Sequence, residues 1–359
     1  MTGHRALGCR LIGLAILAVA CRANSPRTTG TPAAGADPSA APRPPVGITT
    51  RIYDDPARGR RLPVTIWYPA PAGMVEATTN FDGIFPGRGA WEAPLRATSA
   101  RVPLVLLSHG SGGDVSNLAW LAEAFAVQGW IAAAVDHPGD RFGDQTPEGR
   151  FAVWRRAPDL SVVLTGLLAD YTFGPSIDRR RIAAAGHSSG ALTVLLLAGV
   201  RLRPSDFLAS CLGPPPGPDC ELIAGLDVSA IPDLARAGDG YRDRRIRAVA
   251  AMAPVMGLAA TTASLRAVDV PVAIVGLPND ELVPFDRNAA RYARLIRHAQ
   301  LTTVPGAGHF VFMPVCTLPG RLVAAAVCVD IATSPDRAAV HGTTAATLVR
   351  FFERTLGGR

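Results

Sequence analysis

Ala183-Ala184-Ala185-Gly186-His187-Ser188-Ser189-Gly190 is the stretch whose reading decides the fold. It is a G-x-S-x-G sequence set between a short apolar strand pattern, Ile182–Ala185, and an apolar helical pattern, Gly190–Val200. The flanks predict a strand, a tight turn and a helix without help from the motif. Two glycines let the chain turn sharply with no Cβ in the way. Ser188 then sits at the tip of the turn, beside the N–H groups and positive dipole end of the helix. The competing reading of the same residues is a purely structural turn.

Outward from that point the chain alternates strand and helix. Val102–Ser108, Trp130–Val135, Arg247–Met252, Val270–Gly276 and Ala299–Val304 are continuous apolar runs of the kind buried on both faces of a parallel sheet. Asn117–Gln128, Ala157–Asp170, Asn288–Arg297 and Thr343–Thr355 have helical spacing. Gly47–Tyr53 and Arg60–Tyr68 flank Asp54-Asp55-Pro56-Ala57-Arg58-Gly59 and read as an antiparallel hairpin at the sheet edge. Residues 71–100 are rich in Pro and Gly and read as irregular. The fold class is therefore α/β: a mostly parallel sheet with helices on both faces. Residues 201–245 break the rhythm with many prolines and read as an insertion placed to cap the site.

A serine hydroxyl needs a base in hydrogen-bond reach, and the base needs an orienting acid. On a sheet of this kind the chain order is serine, acid, histidine. Asp280 follows the strand Val270–Gly276, and His309 follows the last strand on Gly306-Ala307-Gly308. Both are at carboxyl ends of strands, where such sheets bind ligands. Glu281 and Asp286 are rival acids, although Asp286 stands where a helix begins and suits a cap. His298 in a helix, His341 just before one, and His187, directed away from the turn, are rival bases with solvated, capping or packing roles. An oxyanion site needs two donors. The Ser189 N–H is one. The loop His109-Gly110-Ser111-Gly112-Gly113 offers Ser111 N–H as the other, with Gly112 as runner-up. His109 itself reads as a packing residue.

Arg61–Ala70 (RLPVTIWYPA), Leu107–Gly113 (LSHGSGG), Ala133–Gly139 (AAVDHPG), Gly186–Gly190 (GHSSG) and Gly306–Cys316 (GAGHFVFMPVC) together resemble the bacterial α/β-hydrolases related to platelet-activating factor acetylhydrolase, often grouped with predicted dienelactone hydrolases. The similarity runs from about Gly47 to the end of the chain. It implies an α/β-hydrolase fold and an esterase of short acyl chains, with Ser188, Asp280 and His309 as its triad. Dienelactone hydrolases use a cysteine nucleophile, and the serine here departs from them. The resemblance thus implies carboxylester hydrolysis more than any named substrate, leaving platelet-activating factor-like phospholipids, simple esters, lactones and polyesters open, and the serine mechanism needs no metal or organic cofactor. A non-catalytic binding protein on the same fold, or an acyltransferase or peptidase using the same nucleophile, are the alternatives.

Composition narrows the classes further. The chain has 359 residues, is 48% hydrophobic and 18% charged, and carries a formal charge of +7. All 36 basic residues are arginine, so lysine-dependent chemistries such as Schiff-base catalysis or a phosphate-binding P-loop are excluded. The arginines are scattered among acids, with no basic patch for nucleic acid. Residues 1–20 read as a secretory signal, with Arg5 and Arg10 ahead of the apolar run Leu11–Ala20. Leu17-Ala18-Val19-Ala20-Cys21 is similar to a lipoprotein cleavage site, with leucine one place earlier than the usual pattern, and this reading makes Cys21 a lipid anchor with membrane attachment; the competing reading is an ordinary signal peptide cut after Ala20 and a secreted protein. Residues 21–46 read as a Pro/Ala/Gly/Thr tether and 47–359 as the folded domain. Cys211 with Cys220, and Cys316 with Cys328, read as local disulfides of an exported protein, and neither pair has metal-ligand spacing.

Overall fold

The computed structural model describes residues 43–81, 84–212 and 216–357. The signal segment, Cys21 and the tether as far as residue 42 lie outside the described residues. Strands β1 (Val46–Asp55) and β2 (Arg60–Pro69) form the expected hairpin, and Val46 is already fully buried in it. A second hairpin follows, β3 (Ala77–Phe81) and β4 (Phe85–Trp91). Then come β5 (Val102–Ser108) and β6 (Ile131–Val135), a small separate ribbon of β7 (Asp140–Arg141) and β8 (Asp144–Gln145), and β9 (Ile177–His187), β10 (Ala248–Met252), β11 (Val272–Gly276) and β12 (Ala299–Thr303). The main sheet runs β12-β11-β10-β9-β5-β6-β2-β1-β4-β3. From β12 to β6 every pairing is parallel, and β2 lies antiparallel to both β6 and β1.

The central strands are apolar throughout because both faces are covered. Leu104 and Leu106 of β5 point into one core layer, and Val105 and Leu107 into the other, as a two-residue period requires. The first layer is covered by α3 (Arg156–Ala169) and α4 (Ser189–Leu197), and the second by α1 (Ala119–Val127) and α10 (Arg337–Leu356); α2 (Pro147–Phe151), α5 (Pro204–Leu212), α6 (Thr262–Ala267), α7 (Ala289–Leu295), α8 (Leu318–Val323) and α9 (Ala325–Cys328) complete the set. In α3 the stripe Ala157, Leu160, Val163, Leu164 and Leu167 is buried, the pattern of a helix lying on a sheet. Every residue of α4 is buried, which suits a helix starting at the centre of the molecule.

Three elements differ from the sequence expectation. Residues 71–100 contain the β3–β4 hairpin, whose β4 pairs with β1 over only two residues and so tolerates Pro86 and two glycines at the sheet edge. Strand β9 starts at Ile177, because Asp178 to Arg181 continue the strand with polar side chains before the apolar run begins. Helix α10 starts at Arg337, where the Asp336 side chain accepts the Ala339 N–H at 2.8 Å and caps it. Residues 201–245 form the expected insertion between α4 and β10, made of α5 and short 3-10 turns. Among the described residues no helix is long and apolar enough to cross a membrane.

Candidate active site

The chain leaves β5 for β6 on one side, and β9 lies on the other side of β5. This reversal opens a crevice at the carboxyl ends of β5 and β9, the position where open α/β sheets take ligands. The His109–Gly113 loop leaves β5 there, and the Ser188 turn leaves β9 beside it. A Cβ on Gly186 would overlap the Gly190 carbonyl, and one on Gly190 would overlap that of Ser108. These contacts explain both glycines of the motif. Ser188 is held at φ +56° and ψ −120°, a conformation that costs on the order of 1–3 kcal/mol and must be imposed by its surroundings. One restraint is the Ser188 N–H, which donates to Met252 O of β10 at 2.9 Å.

Ser188, His309 and Asp280 meet at this crevice although they come from separate strand ends. Ser188 Oγ lies 3.0 Å from His309 Nε2, and His309 Nδ1 lies 2.7 Å from Asp280 Oδ2. Asp280 Oδ1 accepts the Leu282 and Val283 N–H groups at 3.0 and 2.8 Å, which fixes the carboxylate plane. The Nδ1 proton therefore belongs between His309 and Asp280, leaving the Nε2 lone pair for the Ser188 hydroxyl. Ser188 is 8% exposed and His309 4%, and both open onto a cavity of about 490 Å³.

The rival residues occupy other roles. Glu281 Oε2 accepts the backbone N–H of His309 at 3.1 Å, so it holds the loop while Asp280 holds the ring. Asp286 is exposed, and the residue before α7 is Asn288. His298 is exposed in the turn between α7 and β12, past the end of the predicted helix. His341 is buried within α10, against the expectation of a solvated or capping role. It stacks on Trp120 with ring centroids 4.2 Å apart and donates to Val311 O at 2.9 Å. Burial pushes its pKa down to about 4. His187 is fully packed, with its ring 4.9 Å from that of His309 and Nε2 3.2 Å from His309 O. Burial first, and then the nearby His309, push its pKa well below the ordinary value, so it is a neutral donor to that carbonyl. With Trp120 Nε1 on Phe312 O at 2.9 Å, three side chains hold the carbonyls of the His309–Phe312 turn. None of these roles is signalled in the sequence: His187 reads as a packing residue, His341 as a solvated or capping one, and Trp120 as one apolar residue of a helix.

The oxyanion candidates divide clearly. Gly112 N–H donates to Asp140 Oδ1 at 3.0 Å and is taken. Among the described residues neither Ser111 N–H nor Ser189 N–H has a hydrogen-bond partner. Ser111 lines the cavity, and Ser189 opens α4.

Both cysteine pairs are disulfide-bonded, Cys211–Cys220 and Cys316–Cys328. Each closes a loop that walls the cavity, through Pro218 and Asp219 in the first and Ala324 and Val327 in the second. Within the insertion, Leu208 and Ile223 pack on the core, and Leu212 is exposed. The cavity lining includes Phe85, Phe142 and Phe310 together with the charged Arg150 and Glu221. Two disulfides suggest an extracellular or periplasmic protein.

A second Ser–His–Asp alignment lies behind the first. Ser108 Oγ is 2.9 Å from His137 Nε2, and His137 Nδ1 is 2.9 Å from Asp159 Oδ2. All three residues are fully buried, and Arg58 and Arg60 both bond to Asp159 at 2.7 Å. Ser108 is not among the residues lining the cavity at Ser188, and it lies in the packed interior at the end of β5.

Comparison with known proteins agrees with this architecture. A family model described as "Alpha/beta hydrolase family" matches residues 104–326, more than half of the chain. Among solved structures, a ferulic acid esterase from Streptomyces cinnamoneus superposes with a TM-score of 0.62 at 22% identity, over 90% of this chain and 93% of that one. A puromycin-hydrolyzing peptidase of Mycobacterium tuberculosis superposes with a TM-score of 0.52 at 15% identity, over 87% of this chain and 40% of that one. At these identities both likenesses concern the fold. No curated protein matches the sequence.

Proposed function

Because the chain belongs to the alpha/beta hydrolase family, with that fold and a hydrolase's crevice, we propose that it is a serine carboxylester hydrolase acting on short-chain esters. The observation that carries the reading is the continuous relay from Ser188 Oγ through His309 to Asp280, at 3.0 and 2.7 Å. Ser188 attacks the ester carbonyl while His309 Nε2 takes its proton. The oxyanion is held by the N–H groups of Ser111 and Ser189. His309 returns the proton to the leaving alcohol as the C–O bond breaks, giving an acyl-Ser188. Water then attacks that ester, its proton passing to His309, and collapse of the second tetrahedral state releases the acid and restores the Ser188 hydroxyl. Asp280 fixes the imidazole tautomer and stabilises the imidazolium.

The likeness of RLPVTIWYPA and GAGHFVFMPVC to platelet-activating factor acetylhydrolase relatives supports phospholipids with a short acyl chain as one substrate class. The phenylalanines in the cavity lining suit an apolar acyl or aryl group. In this reading residues 1–20 direct export, Cys21 carries a lipid, and 21–46 tether the domain to a membrane surface. A panel of p-nitrophenyl esters tests the activity. Wild type should turn over acetate and butyrate esters, and Ser188→Ala should lose at least about 1,000-fold in kcat/KM with folding intact. A folded wild-type protein that hydrolyses none of them, and forms no adduct with a fluorophosphonate, would instead be a binding protein on this fold.

A further inference from the structure

The loop after β5 contributes one of the two proposed oxyanion donors, and its backbone could present more than one N–H to the crevice. What selects among them is visible in the hydrogen bonds. Asp140, at the start of the β7 ribbon, is 2% exposed. Its Oδ1 accepts both the Ser111 hydroxyl at 2.8 Å and the Gly112 N–H at 3.0 Å. Its Oδ2 is bonded to Arg156 Nη2. Arg156 is itself 2% exposed, and its Nη1 donates to His109 O at 2.6 Å. On the far side, Gly113 O accepts the Phe142 N–H from the same ribbon at 2.8 Å. The ring of His109 accepts the His137 N–H at 3.2 Å. The loop is thus held at each end and in its middle, and Ser111 N–H is left without a partner among the described residues.

We infer that Asp140 is a positioning residue for the hydrolysis proposed above: by binding Gly112 N–H and the Ser111 hydroxyl, it leaves Ser111 N–H as the donor facing the reacting carbonyl. Arg156 anchors Asp140 by a buried, charge-assisted pair, so the selection is rigid before substrate arrives. This arrangement acts on the transition state more than on ground-state binding, because the oxyanion gathers charge only as the tetrahedral intermediate forms. The inference rests on the esterase reading, and it adds a residue that never touches substrate.

Asp140→Ala, Asp140→Asn and Ser111→Ala test it, each checked for folding by circular dichroism and a melting curve. Three readouts are compared: kcat/KM for p-nitrophenyl acetate, the inhibition constant of an alkylboronic acid that forms a tetrahedral adduct with Ser188, and that of an unreactive ether analogue of the ester. Asp140→Ala should lower kcat/KM about 100-fold, the scale of one oxyanion donor, and weaken the boronate in parallel. The ether should bind within twofold of wild type. Asp140→Asn keeps an acceptor for Gly112 and should restore part of the loss. Ser111→Ala keeps the N–H and one of the two ties, and should cost about fivefold. If Asp140→Ala does not fold, the other two variants decide. Folded variants whose kcat/KM stays within twofold of wild type, or whose boronate and ether affinities fall equally, overturn the inference. Failure of the esterase reading looks different, since wild type itself would then be inert to ester and boronate.

Discussion

Ser188–His309–Asp280 and Ser108–His137–Asp159 are nearly the same hydrogen-bond relay built twice in one molecule. The serine-to-histidine distances are 3.0 and 2.9 Å, and the histidine-to-carboxylate distances 2.7 and 2.9 Å. Everything around them differs. Ser188 sits at a strained turn facing a cavity, beside the Ser189 N–H, which has no partner among the described residues. Ser108 ends a regular strand beneath the glycine loop and meets no solvent. Asp280 is satisfied by two backbone N–H groups, whereas Asp159 faces two guanidinium groups as well as a histidine. Burial disfavours charge at Asp159, yet hydrogen bonds from His137 and Arg60 hold its pKa at about 2. At His137 burial prevails over the Asp159 hydrogen bond and takes its pKa down to about 4. In the proposed reading a serine, a histidine and a carboxylate in line do not suffice to make a nucleophile. Access and a presenting turn are what the two sites do not share.

The comparison breaks most sharply on paired serine variants. Ser188→Ala should remove ester turnover by at least about 1,000-fold and leave the melting temperature near wild type. Ser108→Ala should do the reverse, leaving kcat/KM within about tenfold. It deprives the buried His137 Nε2 of its partner, a cost of about 1–3 kcal/mol in a denaturant titration. Equal activity losses in the two variants would contradict the division of roles.

The acids sharpen it. Asp280→Asn should lower kcat on the order of a thousandfold in a folded protein, because the imidazole loses its orienting charge. Asp159→Asn leaves the partly buried Arg58 and Arg60 against a neutral amide and should cost roughly 1.5–3 kcal/mol of stability, with activity per folded molecule largely kept. Melting curves and active-site titration separate the two.

Proton linkage gives a smaller effect. The folded pKa values of His137 and His341, about 4, lie below the unfolded value near 6.5. The unfolded chain takes up protons first as pH falls, so their contribution is complete above pH 6.5 and is lost toward pH 4. Each should steepen the fall in stability by about 1 kcal/mol per pH unit within that window. Asp159 adds its own loss only below about pH 4, as pH drops toward 2. A flat unfolding free energy from pH 7 to 5 would refute the neutral, buried state of these histidines. The smallest expected change is at Glu281, whose carboxylate holds the His309 N–H from a partly solvated position. Glu281→Ala should lower kcat/KM only about three- to tenfold, measured on the same ester.

What could be read from the sequence was whatever is local. The G-x-S-x-G turn, the glycine loop after Ser108 and the Gly306–His309 segment each announce themselves within a few residues, and continuous apolar runs mark the parallel strands. Asp280 was legible by its place after a strand, but nothing in sequence separated it from Glu281. Their difference is which oxygen reaches the ring and which reaches a backbone N–H, and that depends on tertiary placement. The second relay was illegible for the same reason. Ser108 ends β5, His137 lies in the loop after β6 and Asp159 lies in α3, and no local pattern links the three. The β3–β4 hairpin is illegible in the sequence because its Pro and Gly residues, tolerable at a sheet edge, imitate a loop.

One experiment addresses the contrast directly: reaction of the folded wild-type protein with a fluorophosphonate, followed by peptide mapping of the adduct. The modified peptide should carry the label on Ser188, at one equivalent, with Ser108 unlabelled. A label on Ser108, or folded protein that takes up none at all, would contradict the claim that presentation at the crevice makes one of two matching relays a nucleophile.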